Sequence, residues 1–168
     1  GINGFGRIGR QVLKTINSNF KDSLEVVAIN DLGDIRTSAH LLKYDSTHGR
    51  FQEKFEINDN GINISGRYIK FFREKSPENI NWDKEGVQIV IESTGIFTDG
   101  NLASSHLGGS VKKVVISAPA KNEDITIVLG VNHKDYDPKK HNIISNASCT
   151  TNCVAPMVKV LNDNFDLE

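Results

Sequence analysis

Cys149 is the residue of this sequence with the clearest capacity for covalent chemistry. It stands in Ser145-Asn146-Ala147-Ser148-Cys149-Thr150-Thr151-Asn152-Cys153, after an apolar run and before Val154, Met157, Val158 and Leu161 at helical spacing. The thiol is therefore expected near the N-cap of a helix. Free N–H groups and the positive end of the helix dipole favour a thiolate, the nucleophilic form, at such a place. Ser148 and Thr150 flank it with hydroxyls suited to holding a polar substrate or a phosphate. Cys153, four residues on, is poorly placed for a disulfide and is expected as a small buried side chain. Pro156 falls past the first turn and is expected to kink the helix. From the residues alone an inert core cysteine stays open as the alternative, because no base is in view. His141 precedes Cys149 by eight residues of mostly strand, about 26 Å at about 3.3 Å per residue. His40 reads as a surface or packing residue, His48 as part of a polar loop, His106 as a helix end and His133 as a loop residue. A base from outside this segment is the expectation.

The second constellation binds rather than reacts. Gly4-Phe5-Gly6-Arg7-Ile8-Gly9 fits G-x-G-x-x-G, after a strand stub and before an amphipathic run carrying Ile8, Val12, Leu13 and Ile16 on one face. Gly4 permits the tight turn, Gly6 lets backbone approach a pyrophosphate, and Gly9 lets helix and strand pack closely. The helix N-terminus supplies N–H groups to the phosphates. Asp31 follows the apolar run 24–30 and lies 22 residues after Gly9, near the spacing of about 20 expected for the ribose carboxylate. A carboxylate there accepts ribose hydroxyls and repels a 2′-phosphate, so NAD is favoured over NADP.

These residues need a scaffold of alternating elements. Strands are expected over 1–3, 24–30, 68–72, 87–92, 113–117 and 142–145, with a further one over 124–130. Helices are expected over 8–17, 37–43, 101–107 and 150–162. Several strands are continuously apolar, as in a parallel sheet covered on both faces. The alternation predicts an α/β, Rossmann-like doubly wound sheet. Runs 51–57 and 62–65 flank Asn58-Asp59-Asn60-Gly61, which predicts an inserted antiparallel hairpin. Composition narrows the class further. Of 168 residues 38% are hydrophobic, enough for a real core, and 20 basic against 21 acidic residues leave a net charge of −1. Neither nucleic acid nor an anionic membrane is implied as a partner by that balance. Apolar runs are too short to span a bilayer, and no secretory leader is expected in the first ten residues. Two cysteines make neither a disulfide framework nor a structural zinc site, so no metal is expected and a reducing, cytoplasmic compartment is favoured. Both ends read as cut, so a segment of a longer protein is expected.

Gly1–Arg10 (GINGFGRIGR), Ala28–Asp31 (AIND), Tyr44–Gly49 (YDSTHG), Glu92–Gly95 (ESTG), Ile116–Pro119 (ISAP), Gly130–His133 (GVNH) and Ser145–Cys153 (SNASCTTNC) together resemble the glyceraldehyde-3-phosphate dehydrogenase family. The resemblance runs the length of the chain and is most specific at the cysteine. It implies an NAD-binding domain over 1–148 and the start of a catalytic domain at 149–168. It implies that glyceraldehyde 3-phosphate is oxidised with NAD and inorganic phosphate to 1,3-bisphosphoglycerate, through a thioester on Cys149. Ser148 and Thr150 then match substrate- and phosphate-binding positions. Gly6, Arg7 and Ile8 match the pyrophosphate loop, and Asp31 the adenosine ribose partner. Lys75 stands where the family often has Arg, and Thr94, Gly95 and Ser117 match further cofactor-site residues. A homotetramer is implied for the full-length protein. The base histidine lies downstream in the family, so this segment alone is expected not to turn over. Leu32-Gly33-Asp34 resembles a subset of the family in which some members accept NADP. Erythrose-4-phosphate dehydrogenase shares the cysteine motif and is the alternative within the family; a non-catalytic nucleotide-binding or redox-sensing module is the alternative outside it.

Overall fold

The computed structural model describes residues 1–165. Its elements run β1 (Ile2–Asn3), α1 (Arg7–Asn19), β2 (Ala28–Asn30), α2 (Ile35–Lys43), β3 (Phe55–Asn58), β4 (Gly61–Ile64), β5 (Arg67–Phe72), β6 (Ile89–Glu92), α3 (Gly100–Ala103), β7 (Lys113–Ile116), β8 (Ile125–Thr126), β9 (Ile143–Ser145) and α4 (Cys149–Phe165). The strands form one sheet in the order β3-β4-β5-β2-β1-β6-β7-β9-β8. All neighbours are parallel except β3–β4 and β4–β5. The expected doubly wound α/β sheet is what the chain forms.

β1 and β2 hold no exposed side chain, and in β6 only Ile89 is exposed. Ile2, Ala28, Ile29, Val90 and Val114 are each at most 1% exposed, as a sheet covered on both faces requires. Phe5 and Leu13 from the β1–α1 unit and Ile35 and Leu42 from α2 pack against Ile29, Ile62 and Ile69. Each such Leu or Phe contributes about 1.5–3 kcal/mol by leaving water. Asp34 starts α2 two residues before the expected position, because its carboxylate accepts the Arg36 and Thr37 N–H groups.

The expected antiparallel hairpin is present as β3–β4, and β4 also pairs with β5, which extends it to a three-stranded meander. Other elements differ in detail from the expectation. The first turn is made by Asp59 and Asn60, within the expected stretch 58–61, since Asn58 pairs with Gly61. Gly61 serves packing instead: a Cβ there would meet the Ile69 carbonyl and the Tyr68 ring at 2.5 Å. The second turn is Ser65-Gly66, both at positive φ (51° and 88°), the primed geometry that suits a two-residue hairpin. The strand expected over 124–130 pairs only at Ile125–Thr126, and Asn132 ties the rest into a loop through Val128 N–H and the Thr126 carbonyl. The helix expected over 101–107 is one α turn continued as a 3₁₀ turn at Ser104–His106.

Asp45 fastens the loop after α2 to α1. Its side chain is 4% exposed and accepts from Gln11 (2.6 Å), Lys14 (3.4 Å) and the Thr47 and His48 N–H groups (2.9 Å each). The His48 and Thr47 N–H bonds, with Lys14, hold its carboxyl well below the usual carboxylate range. A depressed folded-state value adds stability above the unfolded value near 4 and loses it as pH falls further. Asp45→Asn is therefore expected to lower the thermal midpoint at pH 7, with the gap to wild type narrowing below about pH 4. Thermal scans of both proteins between pH 7 and 2 check this; a gap independent of pH would mean the carboxylate charge is not what binds the loop.

Helix α4 stands apart. It has no buried residue, and Val154, Met157, Val158, Val160, Leu161 and Phe165 are all exposed. Cys153 is exposed too, against the expectation of burial, because nothing among the described residues covers that face. Pro156 lies within the helical span, which runs on without a break to Phe165.

Candidate functional site

In an open parallel sheet, ligands bind beyond the carboxyl ends of the strands where the winding reverses. Here that place is β1, between β2 and β6. The residues that follow these three strands are Gly4, Asp31 and Ser93, and they line one cleft of about 360 Å³. Asn3 and Asn30 contribute to its floor, and Gly6, Leu32, Glu74, Lys75, Thr94, Ile96 and Phe97 complete its walls.

Each loop glycine has a separate steric reason. Gly4 has φ +90°, and a Cβ on it would lie 2.6 Å from the Thr94 nitrogen. Gly9 packs α1 onto the β1 turn, where a Cβ would lie 2.2 Å from the Gly4 carbonyl oxygen. Gly6, the N-cap of α1, faces open space with nothing within 4 Å of a notional Cβ. The α1 terminus thus has room for a phosphate at the residue where the dinucleotide pattern requires it. The residues present fit a dinucleotide.

Asp31 does more than the sequence suggested. One carboxylate oxygen accepts the Phe5 N–H (2.6 Å) and the other the Gly33 N–H (2.7 Å). It therefore pins the glycine loop to the end of β2. Each oxygen keeps a second acceptor site for a ribose hydroxyl.

Gly6, Asp31, Lys75 and Thr94 come together in the cleft wall. Arg7, Ile8, Gly95 and Ser117 do not line it. Arg7 and Ile8 form the exposed first turn of α1, with the Arg7 guanidinium 3.9 Å from Asp45. Gly95 is exposed at φ +73°, and Ser117 follows β7 with its N–H donated to the Glu92 carbonyl at 2.9 Å.

The cysteine turn lies on the same edge of the sheet, after β9, two strands beyond β6, or about 10 Å at the usual strand spacing. Cys149 is the first residue of α4 and is exposed. The Ser148 hydroxyl caps the helix by accepting the Thr151 N–H at 2.9 Å, and it lies 2.9 Å and 2.7 Å from the Thr150 and Thr151 hydroxyls. Asn152 clamps the turn, its amide donating to the Asn146 and Ser148 carbonyls (2.8 and 2.9 Å). Ala147, buried, is held at φ +61°, a conformation that costs a residue with a Cβ about 1–3 kcal/mol.

No hydrogen bond joins Cys149 to a histidine among the described residues. His40 lies against Tyr44 with the rings tilted and their centroids 4.9 Å apart, and His48 is exposed. His133 and His141 each accept a backbone N–H of their own loop (Gly130 and Asp137, 3.0 Å each). His106 is buried beneath the cleft with Glu92, Asn3 and Trp82, a cluster the sequence reading missed. The one available signal was Glu92 itself, a carboxylate closing the apolar run Ile89-Val90-Ile91.

A doubly wound sheet with a glycine-loop cleft at its switch point and a carboxylate closing β2 defines a dinucleotide-binding α/β protein. The comparisons narrow the class. Residues 1–100 match the family model described as glyceraldehyde 3-phosphate dehydrogenase, NAD binding domain. Over 168 residues the chain is 55% identical to glyceraldehyde-3-phosphate dehydrogenase 1 of Bacillus cereus, covering all of this chain and 50% of that protein. It is 56% identical over 167 residues to glyceraldehyde-3-phosphate dehydrogenase of Geobacillus stearothermophilus (99% of this chain, 49% of the relative). With glyceraldehyde-3-phosphate dehydrogenase 2 of Streptomyces avermitilis it shares 57% over 167 residues (99% and 50%). The chain belongs to the glyceraldehyde-3-phosphate dehydrogenase family, and it spans about half the length of the curated relatives it matches.

Proposed function

We propose that this chain is the NAD-binding half of a phosphorylating glyceraldehyde-3-phosphate dehydrogenase, with the covalent nucleophile at its C-terminal end. The observation that carries the reading is the open face of Gly6 beside Asp31 in the switch-point cleft. Gly6, Arg7 and Ile8 present the pyrophosphate site, Asp31 takes the adenosine ribose, Lys75 stands near the adenine, and Thr94, Gly95 and Ser117 belong to the cofactor site on the side toward β9. Bound NAD supplies a hydride acceptor. The Cys149 thiolate attacks the aldehyde carbon of glyceraldehyde 3-phosphate, forming the C–S bond of a thiohemiacetal. Loss of hydride from that carbon, with its hydroxyl proton taken by a base, leaves a thioester. Inorganic phosphate attacks the thioester, 1,3-bisphosphoglycerate departs and the thiolate returns. Ser148 and Thr150 orient substrate phosphate and inorganic phosphate through their hydroxyls.

The base belongs to the remaining half of such an enzyme, so the chain by itself binds nucleotide without turning over; losing a positioned base alone removes about 10²–10⁴ in rate. The domain division at 148/149 goes with this reading, supported by the absence of any buried residue in α4. A cytoplasmic homotetramer is proposed for the full-length protein, and the uncovered apolar face of α4 supports a partner surface there. Within the described residues no helix is long and apolar enough to cross a membrane.

Titration calorimetry on the chain tests the cofactor assignment. NAD is expected to bind in preference to NADP. Asp31→Ala is expected to weaken NAD at least about tenfold, the scale of a lost hydrogen bond to a charged group. Absence of NAD binding by the wild-type chain would overturn the reading.

A further inference from the structure

Beneath the cleft runs a line of buried polar side chains that reaches both of its walls. Asn3, Asn30, Glu92 and His106 are each at most 4% exposed. On one side, the Asn30 amide grips the Glu74 backbone twice: Nδ2 donates to the Glu74 carbonyl (2.9 Å) and Oδ1 accepts the Glu74 N–H (2.8 Å). Asn30 Nδ2 also donates to Asn3 Oδ1 (2.7 Å), and Asn3 Nδ2 donates to Glu92 Oε2 (2.6 Å). On the other side, Glu92 Oε1 accepts the Thr94 N–H (2.9 Å) and the Thr94 hydroxyl. Glu74 and Thr94 are both cleft-lining residues. The line thus crosses the ends of β2, β1 and β6, strand by strand, from one wall to the other.

Trp82 and His106 back this line and fix its polarity. The indole Nε1–H donates to His106 Nδ1 (3.0 Å), so that nitrogen carries no proton. The ring proton is then on Nε2, which donates to Glu92 Oε2 (3.0 Å). Glu92 therefore has four donors and no cationic side chain. A buried carboxylate is costly, and an apolar residue would fill the end of an apolar strand at less cost. What Glu92 provides that an apolar residue cannot is a simultaneous hold on Thr94 and Asn3.

We infer that Glu92, Asn3, Asn30 and His106 are positioning residues that set the separation of the Thr94 and Glu74 walls of the nucleotide cleft. This rests on the reading of that cleft as a dinucleotide site. Glu92 and His106 lie behind the cleft lining and Asn3 and Asn30 form part of its floor; all four act through Thr94 and through the Glu74–Lys75 backbone. The chemistry of the inference is complementary donors and acceptors, so exchanging an acceptor for an amide in the middle of the line should misplace the walls. Exchanging donor and acceptor together should restore them.

Calorimetric titration of NAD into the wild-type chain, Glu92→Gln and Asn3→Asp/Glu92→Gln tests this. Glu92→Gln puts amide N–H groups against the Asn3 and His106 donors or, in the flipped orientation, against the two Thr94 donors. The double variant swaps carboxylate and amide, and Asp at position 3 can accept from the new amide, from Asn30, and from His106, whose Nε2 lies 3.4 Å from the Asn3 amide. A chain that is merely less stable keeps its dissociation constant and loses binding stoichiometry; a mispositioned cleft keeps stoichiometry and loses affinity. Glu92→Gln is expected to raise the dissociation constant at least about tenfold at unchanged stoichiometry, with the double variant returning to within about threefold of wild type. An unchanged dissociation constant for Glu92→Gln, or no recovery in the double variant, would overturn the inference. If Glu92→Gln does not fold, Asn30→Ser at the other end of the line takes its place, with the same expected rise and the same overturning result. Failure of the wild-type chain to bind NAD would instead sink the proposed function.

Discussion

Gly9→Ala is expected to destabilise this chain by about 3–5 kcal/mol, whereas Gly6→Ala is expected to leave it folded and to lose nucleotide affinity at least tenfold. The two glycines are three residues apart in one motif, and their surroundings are opposite. A methyl group on Gly9 would lie 2.2 Å from the Gly4 carbonyl oxygen, 3.0 Å from Ile2 Cγ2 and 3.1 Å from Ser93 Oγ. The first of these is backbone, held in place because the Gly4 N–H donates to the Asn30 carbonyl at 2.8 Å. Relief requires α1 to move off β1, which would expose Leu13 and Phe5, now 1% and 2% exposed. Gly6 has ordinary backbone angles for any residue (φ −72°, ψ −157°) and empty space above it. Alanine there costs the fold nothing and lowers the entropy of the unfolded chain, so stability should hold or rise by up to about 1 kcal/mol. The same methyl occupies the approach of a pyrophosphate to the α1 N–H groups. Denaturant melts and NAD titrations of the two variants separate the cases. Undiminished NAD affinity in Gly6→Ala would show that the open space is not the ligand's.

The contrast also marks what a sequence can show. The glycine pattern was legible because each glycine answers to a constraint within the strand–turn–helix unit, and Asp31 because it closes the next strand. The parallel sheet was legible in its continuously apolar runs. What escaped was set by contacts between distant segments. Asn3, Glu92 and His106 meet only once β1, β6 and the turn after α3 are assembled, and nothing local marks them as partners. Asn60-Gly61 is by type a strong turn pair, but Gly61 lies in β4, where the approach of Tyr68 and Ile69 gives that glycine another use. Ser65-Gly66 was an available turn signal, overlooked beside the stronger one. Cys153 was misplaced for a different reason. Its spacing puts it on an apolar helix face, and such a face is ordinarily covered; among the described residues nothing covers it.

At Cys149 the largest effect is expected in catalysis. In an enzyme of the relatives' full length carrying this segment, Cys149→Ser is expected to lower aldehyde-dependent reduction of NAD by at least about 10³-fold while leaving NAD binding unchanged. A serine hydroxyl keeps the size and the hydrogen-bonding capacity of the side chain and removes the readily ionised sulfur. The chain prepares the position in three ways. Ser148 takes the helix-capping role, so the Cys149 side chain is spared it. Ala147 is held at φ +61° by its own N–H to Ser145 Oγ (3.0 Å) and by the Asn152 clamp across the turn. Strain kept at one residue by surrounding bonds is characteristic of functional turns. Cys149 is also the first residue of a 17-residue helix, whereas Cys153 is the fifth. Both thiols are exposed, so access does not favour one over the other. The influence of the helix terminus fades within the first turn. Iodoacetamide should therefore alkylate Cys149 several-fold faster than Cys153 in this chain, read by mass spectrometry of the digested protein. Equal rates would remove the helix terminus as the source of reactivity, and retained dehydrogenase activity in the serine variant would remove Cys149 as the nucleophile. Rapid alkylation with no loss of activity on substitution would leave a reactive thiol outside the reaction, as a redox sensor requires.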